Sequence, residues 1–224
     1  YKLYIDSIAN KPEPAEPVMT VAVKGGVTVE FGDFGKGWAY ALKQSLTKPT
    51  TITLLEDWVA PDGTFYCTND KGGEFGTKDG ALYMYDNYLD LTIDLNGHKI
   101  DRNLKEVTSF GHVLYLYDLD IKLTIKDSTG GGKITGGNVL GDGGGIKVFD
   151  GSLYIESGEI SGNTAYGNGG GVYVTGGKIT LKGAPVIDKT GTAYAYSILL
   201  PEGNARLLLR RDGILALRAT HHRQ

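Results

Sequence analysis

Short segments in which apolar and polar residues alternate recur along most of the chain, and their spacing is regular. One set reads LYMYD (82–86), LYLYD (114–118), IKVFD (146–150), VYVTG (172–176) and ILLPE (198–202). Its members start 32, 32, 26 and 26 residues apart, and a weaker copy, ITLLE (52–56), starts 30 residues before the first. Alternation over so few residues is typical of β-strands that bury one face, so the pattern predicts a repeating β-structure.

Two further sets of segments recur with similar steps, of 26 to 34 residues. The second set reads LTIDL (91–95), LTIKD (123–127), LYIES (153–157), ITLKG (179–183) and LLLRR (207–211). The third is shorter and ends in Ile100, Ile134, Ile160 and Ile187. Each repeat therefore holds three strands, and it can bury its apolar residues only by stacking on its neighbours.

This repeat predicts an all-β chain that forms a right-handed parallel β-helix, a solenoid of about five or six coils. A β-sandwich also has short strands, but it predicts no step of 26 residues shared by three strand sets. Stacking in register predicts two internal apolar columns, one formed by Leu82, Leu114, Ile146, Val172 and Ile198, the other by Leu91, Leu123, Leu153, Ile179 and Leu207.

The ends of the chain differ from the repeats. Residues 1–49 are predicted to form an N-terminal arm, a linker and a capping helix, in which KPEPAEP (11–17) is typical of an extended linker. Residues 18–31 predict a hairpin with a Gly25-Gly26 turn, and residues 36–47 a helix that covers the open N-terminal edge of the β-helix. The β-helix is assigned to residues 50–201, and residues 202–224 to a C-terminal cap or tail.

Composition narrows the class of protein. The 224 residues carry 23 Lys+Arg against 26 Asp+Glu, a net charge of -3, so the chain lacks the strongly basic character typical of nucleic-acid binding. No apolar run approaches the roughly 18 residues of a membrane span. The single cysteine, Cys67, excludes an internal disulfide framework and a cysteine-based zinc site.

The 34 glycines suit tight corners at which φ is positive. Since Tyr1 is not an initiator methionine, we expect a part of a larger, multimodular protein.

Aromatic residues dominate the outward positions of the first strand set. Where alternation turns the first and third residues of a segment inward, such as Leu82 and Leu114, it turns the second and fourth residues outward. The outward positions of the second set are mainly Thr, Asp, Glu and Lys. An exposed aromatic surface calls for a partner, and a sugar ring can stack on an aromatic ring while tyrosine hydroxyls bond its hydroxyls. The predicted ligand-binding residues are Tyr83, Tyr85, Tyr115, Tyr117, Lys147, Phe149 and Tyr173.

Three interpretations of these aromatic rows remain open: a glycan-binding surface, stacking that only stabilises the sheet, and a surface for a protein partner. In the first interpretation Lys147 donates to sugar hydroxyls or meets an acidic side group. The nearly balanced net charge favours a neutral or lightly acidic polymer over polygalacturonate.

The segment GDGGGIKVFDGSLYIESGEISGNTAYGNGGGVYVTGGKITLKG (141–183) resembles the glycine-rich repeats of bacterial secreted and cell-surface β-helix proteins. The resemblance is carried by the GGG-[IV]-x-V core and the G-x-[IL]-x-[IL] strand after it, and it extends over residues 80–200. Such β-helix domains belong to polysaccharide lyases and hydrolases, to adhesins, and in some cases to carbohydrate-binding modules of plant cell-wall-degrading enzymes. All three classes imply an extracellular protein, either secreted or attached to the bacterial surface. The likeness to the binding modules makes a β-1,4-linked glycan such as xylan the expected ligand.

Carboxylates recur once per coil at Asp86, Asp118 and Asp150. Stacked carboxylates repel each other, so they either end strands as turn residues or share a cation such as Ca²⁺, to which Asp90, Asp120 and Asp142 would add oxygen ligands. Apart from this Ca²⁺ option, no cofactor is expected.

Catalytic motifs are not evident in the sequence. The Asn-Thr-Asp, Asp-Asp, Gly-His-Gly and Arg-Ile-Lys pattern of pectin-hydrolysing β-helix enzymes is missing, and Gly111-His112 is its one partial match. His98 is interpreted as a solvated turn residue. We therefore expect a non-catalytic module, with a bacterial surface adhesin or spacer as the first alternative and a polysaccharide lyase as the second.

Overall fold

Short strands separated by glycine-rich turns make up most of the computed structural model. It describes residues 16–60, 67–68, 74–75, 82–84, 88–187, 198–199 and 207–209. In the strand Leu114–Leu116 the two leucines are buried and the tyrosine between them is partly exposed, and the strands Leu82–Met84, Ile146–Val148 and Val172–Val174 repeat this pattern. The alternation in the sequence is thus the cause of the strands, and the described protein is mostly β.

The described elements comprise one helix, α1 (Phe34–Ser45), and 22 strands. In chain order the strands are β1 Met19–Val23, β2 Thr28–Phe31, β3 Thr50–Leu54, β4 Trp58–Val59, β5 Cys67–Thr68, β6 Glu74–Phe75, β7 Leu82–Met84, β8 Asp90–Asp94, β9 Lys99–Asp101, β10 Leu114–Leu116, β11 Lys122–Lys126, β12 Lys133–Thr135, β13 Asn138–Val139, β14 Ile146–Val148, β15 Ser152–Ile155, β16 Glu159–Ile160, β17 Thr164–Ala165, β18 Val172–Val174, β19 Lys178–Leu181, β20 Val186–Ile187, β21 Ile198–Leu199 and β22 Leu207–Leu209.

Three parallel sheets hold most of these strands. The first sheet has the order β7-β10-β14-β18-β21, and the third has the order β4-β9-β12-β16-β20. The second runs β3-β8-β11-β15-β19-β22, and the hairpin β2-β1 extends it antiparallel at the β3 end. From β7 to β20 the chain visits the first, second and third sheets in the same order in each repeat, so that neighbours in a sheet come from consecutive repeats.

The registers confirm both predicted columns. In the first sheet Leu82 pairs with Leu114, and the pairing continues through each predicted member to Ile198. In the second sheet the predicted column from Leu91 to Leu207 is paired in the same way. The members whose side chains are described belong to one buried apolar cluster, which the isoleucines of the third sheet also join. In-register stacking therefore produces a continuous core.

The weaker segment at residues 52–56 belongs to a different sheet from the one predicted. It was aligned with the first strand set, but β3 lies in the second sheet, where Ile52 pairs with Ile93. The prediction was wrong because all three sheets use the same alternation, and the 30-residue step alone does not tell which sheet a strand joins. The antiparallel neighbour β1 is the feature that distinguishes β3.

The N-terminal hairpin and helix are confirmed with small shifts. Gly25 has a φ of 74° in the turn between β1 and β2. Helix α1 begins at Phe34, two residues before the predicted start, because the Asp33 carboxylate accepts the Lys36 N–H at 2.8 Å and caps it. Trp38 is fully buried in the same cluster as the columns. No helix among the described residues is long and apolar enough to span a membrane.

Parts of the predicted end segments fall outside the described residues. The arm before residue 16 and the tail beyond residue 209 are among them. Within the segment assigned to the tail, β22 pairs in parallel with β19 and so continues the second sheet.

Glycine is required for a reason beyond the positive φ values expected at corners. Between the third and first sheets, a small ladder joins β13 to β17, and backbone bonds from one repeat to the next continue through the neighbouring glycines. Gly137 has no positive φ, yet a Cβ there would collide with the Gly144 carbonyl oxygen. By contrast, a Cβ at Gly141 would have no atom within 4 Å. Close backbone approach therefore accounts for part of the glycine excess.

This contrast gives a stability prediction. We expect Gly137→Ala to lower the free energy of unfolding by about 1–3 kcal/mol or more, because the backbone at Gly144, seven residues further along the chain, must move away from the new methyl group. Gly141→Ala, a matched change in open space, should alter it by about 0.5 kcal/mol or less. Urea unfolding measures both. Equal midpoints for the two variants would show that the close approach does not constrain the fold.

Candidate functional site

The outer surface of the first sheet carries the predicted aromatic rows. We define the aromatic face as Tyr83, Tyr115, Tyr117, Lys147, Phe149 and Tyr173. Strand pairing places Tyr83 beside Tyr115, Tyr115 beside Lys147, and Lys147 beside Tyr173. Tyr85, the remaining predicted site residue, lies outside the described residues.

The rings of the aromatic face contact one another across repeats. The ring centroids of Tyr83 and Tyr115 are 5.1 Å apart, and those of Tyr117 and Phe149 are also 5.1 Å apart. Tyr115 meets Tyr117 edge to face, at 5.9 Å and 88°. These contacts join an inner row, Tyr83 and Tyr115, to an outer row, Tyr117 and Phe149, and both rows follow the stacking direction of the strands.

The ring orientations limit what the aromatic face offers to a ligand. Tyr117 and Phe149 are stacked with an angle of 15° between their planes, so each ring covers part of the other's face. Tyr117 and Phe149 are nevertheless 43% and 47% exposed. Exposed ring surface is therefore present along the outer row, but it is not a flat platform of separate rings.

Lys147 interrupts the inner row with a positive charge. Its Nζ lies 5.4 Å from the centroid of the Tyr115 ring, within the range of a cation–π contact. In the next repeat, burial raises the pKa of Tyr173, and the nearby Asp142 carboxylate, to which the phenol donates, raises it further. Asp142 Oδ1 also accepts the Asn168 backbone N–H at 2.6 Å and its side-chain amide at 3.1 Å. Tyr173 is thus held by a loop carboxylate that already has other donors.

His112 lies behind the aromatic face. It is 2% exposed, its ring centroid is 5.3 Å from that of Tyr115, and its Nδ1 lies 2.8 Å from the Gly143 carbonyl oxygen. Because a carbonyl only accepts, Nδ1 must carry the proton. Burial lowers the pKa of His112 to about 4, with smaller contributions from the positive charges of Lys147 and Arg102. His112 is therefore a neutral, buried support for Tyr115.

His112 was noted in the sequence, but only as part of a partial match to a catalytic pattern. Gly111-His112 was compared with a catalytic motif, whereas His112 lies in a stretch of buried residues just before the strand Leu114–Leu116. Asp142 was predicted only as an additional cation ligand, and its bonds to Asn168 and Tyr173 depend on residues 26 and more positions away. Sequence patterns over a few residues do not contain that contact.

The aspartates that recur once per coil in the sequence, and those predicted to join them in a cation site, do not share one partner in the structure. Asp86 lies outside the described residues. Asp150 Oδ1 accepts the Gly151 N–H at 2.8 Å, which is turn chemistry, and Asp90 forms an ion pair with Lys122 at 3.2 Å. Across the described residues, no group of three or more His, Cys, Asp or Glu side chains is placed to hold one metal ion.

The second and third sheets present a different surface from the first. Four of their lysines form ion pairs with carboxylates of the neighbouring repeat, and Tyr154 lies between two of these lysines. The cross-repeat pairs are Lys122–Asp90, Lys126–Asp94, Lys133–Glu159 and Lys182–Glu156. A further exposed apolar pair, Leu140 and Tyr166, follows the small β13–β17 ladder and was not singled out from the sequence.

Comparison with known proteins found no match: no protein-family model, curated protein or solved structure matches the chain. A function for the protein therefore rests on the chemistry of its own surface.

His112 gives a prediction for the pH dependence of stability. Its pKa is about 4 in the folded protein against 6.5 when unperturbed, so between these values the unfolded chain binds a proton that the folded chain does not. Stability should therefore fall as the pH drops through this window, by about 2 kcal/mol between about pH 7 and about pH 5. Urea unfolding at the two pH values measures the fall.

Two variants attribute this fall to His112. His112→Gln can still donate to the Gly143 carbonyl but cannot gain a proton, so its stability should change much less between the two pH values. The matched change at the partly exposed His98, His98→Gln, should keep most of the fall. If His112→Gln shows the full fall, then His112 is not the group that titrates.

Proposed function

We propose that residues 50–201 form a right-handed parallel β-helix, with α1 as the capping helix at its N-terminal end. Support comes from the cyclic order in which the chain visits three parallel sheets. Crossover connections between parallel strands of one sheet are almost always right-handed, which favours that hand here. Five strands in the first sheet and six parallel strands in the second agree with about five or six coils.

We further propose that this β-helix is a non-catalytic carbohydrate-binding module that holds an extended polysaccharide along the aromatic face. The observation that carries the proposal is the pair of short rows of partly exposed rings on one sheet, in which neighbouring rings come from consecutive repeats. Large exposed apolar side chains in a contiguous patch are typical of binding surfaces in soluble proteins.

The chemistry of a sugar chain matches this surface. Each pyranose has an apolar C–H face that packs on aromatic carbon, and hydroxyls that bond tyrosine hydroxyls. One sugar of an extended β-1,4-linked chain spans about the distance between neighbouring strands, roughly 4.8 Å. A xylan-like chain laid along the stacking direction would therefore meet an equivalent group of the protein at each sugar.

Two further parts of the proposal rest on other observations. His112 is buried and neutral, so we assign it a structural role rather than proton transfer. A binding module of this kind belongs to a larger secreted or surface-attached bacterial protein that acts on plant cell walls, in line with the resemblance of residues 141–183.

A surface adhesin or spacer domain is the second candidate. The face-to-face packing of Tyr117 on Phe149 favours it, because stacked rings stabilise a parallel sheet without any ligand. Exposed Leu140 and Tyr166 on a different part of the surface would also suit a protein partner.

Substitution of the outer row tests the proposed function. We expect Tyr117→Ala with Phe149→Ala to weaken retention in native gels containing xylan by about tenfold or more, since loss of an anchoring aromatic ring costs about 2 kcal/mol or more. Tyr154→Ala is the matched control, because it removes an aromatic ring from the outer surface of the second sheet. It should migrate like the unaltered protein.

Unfolding measurements on the same variants separate the two candidates. A double variant that unfolds more easily but is retained as strongly as the unaltered protein would show that the rings act only in stability. Free migration of the unaltered protein in gels of xylan, mixed-linkage glucan, glucomannan and pectin would contradict glycan binding and favour the adhesin or spacer.

A further inference from the structure

Lys147 is not paired with a carboxylate in the way that four lysines of the other two sheets are paired. Lys122, Lys126, Lys133 and Lys182 each reach a carboxylate oxygen in the neighbouring repeat within 2.8–3.2 Å. Within the described part of the chain, Lys147 has no carboxylate oxygen within 4.0 Å, and its Nζ lies over the Tyr115 ring instead. The one ammonium group of the aromatic face is thus available to a ligand.

The neighbouring groups Asp142, His112, Tyr115 and Tyr173 do not neutralise the Lys147 ammonium through a direct ion pair. Asp142 influences both His112 and Tyr173, but its carboxylate already accepts bonds from Asn168 and Tyr173. His112 is neutral at ordinary pH because its pKa is about 4. Tyr115 and Tyr173, the two strand neighbours of Lys147, contribute no charge near neutral pH.

We propose that Lys147 binds a carboxylate of the ligand, and hence that the aromatic face selects a glycan bearing a uronic acid at intervals along an otherwise neutral chain. The inference rests on the proposed function and deepens it by naming the ligand class. An ammonium among aromatic rings bonds a carboxylate more strongly than a neutral hydroxyl, because both partners are charged and little water remains between them.

The spacing of charges on the aromatic face favours a polymer with few carboxylates over a polymer with a carboxylate on each sugar. Of the five paired positions of the inner row, three are tyrosines, one is a lysine and one is Leu199. Asp118 and Asp150 follow the strands of the same sheet, and Asp142 lies in the loop before β14. A polymer with a carboxylate on each sugar would bring one charge to Lys147 and several others towards tyrosines and carboxylates, where they gain nothing or are repelled.

Three polymers test the inference in native affinity gels: a neutral xylan, a glucuronoxylan with one carboxylate per several sugars, and polygalacturonate. We expect glucuronoxylan to bind about tenfold more tightly than neutral xylan, a factor in the range that one charge-assisted hydrogen bond supplies. Polygalacturonate should bind more weakly than glucuronoxylan. Added salt should reduce the preference for glucuronoxylan and leave neutral xylan binding unchanged.

Variants of Lys147 identify the group responsible. Lys147→Met keeps the apolar stem against Tyr115 but removes the charge, so it should bind glucuronoxylan and neutral xylan equally. Lys147→Arg should keep the preference. Lys178→Met is the matched control: Lys178 is exposed on β19 in the second sheet and forms no ion pair with a described residue, so its loss should change neither affinity.

The outcomes separate the inference from the function on which it rests. Equal binding of the two xylans by the unaltered protein, or a preference that survives Lys147→Met, would overturn the inference and leave glycan binding in place. Tightest binding to polygalacturonate would overturn the assignment of sparse acidic groups. No retention by any polymer would overturn the proposed function and the inference with it.

Discussion

The structure depends on parallel pairing in register between consecutive repeats. A single repeat has three strands of two to five residues, too few to bury its own leucines and isoleucines, so each apolar column exists only where several repeats stack. The same pairing fixes the outer surface, because a residue one position from a column member must lie beside its equivalent in the next repeat. The core and the aromatic face therefore follow from one constraint.

Pairing continues through the turns, and this explains where glycine is indispensable. Backbone bonds from one repeat to the next run through the stretch that contains Gly144 and Gly145, so the chain there has neighbouring backbone where a side chain would lie. Glycine at such positions is a consequence of strand spacing rather than of turn geometry alone. Its excess in the composition is thus a further sign of stacked repeats.

Much of the strand arrangement was predictable because the strands recur at nearly regular intervals in the sequence. The columns headed by Leu82 and Leu91, the hairpin at Gly25 and the helix after Asp33 all follow from patterns within a few residues or from one constant step. The placement of residues 52–56 was not predictable, since three sheets with the same alternation compete for one strand. Of the site, sequence alternation placed the aromatic residues outward, but the tilt of each ring and the contact between Asp142 and Tyr173 depend on three-dimensional packing.

The choice between a ligand surface and simple stacking turns on how the other sheets hold their repeats together. There, lysine and carboxylate pairs such as Lys122–Asp90 and Lys182–Glu156 join one repeat to the next at the outer surface and leave that surface polar. Cross-strand ion pairs and aromatic pairs contribute comparable, modest stability. Stability alone therefore gives no reason for the first sheet to expose rings to water instead of ion pairs. The proposed glycan binding would give a reason, because a sugar chain would displace water from partly exposed aromatic carbon beside an ammonium that has no ionic partner among the described residues.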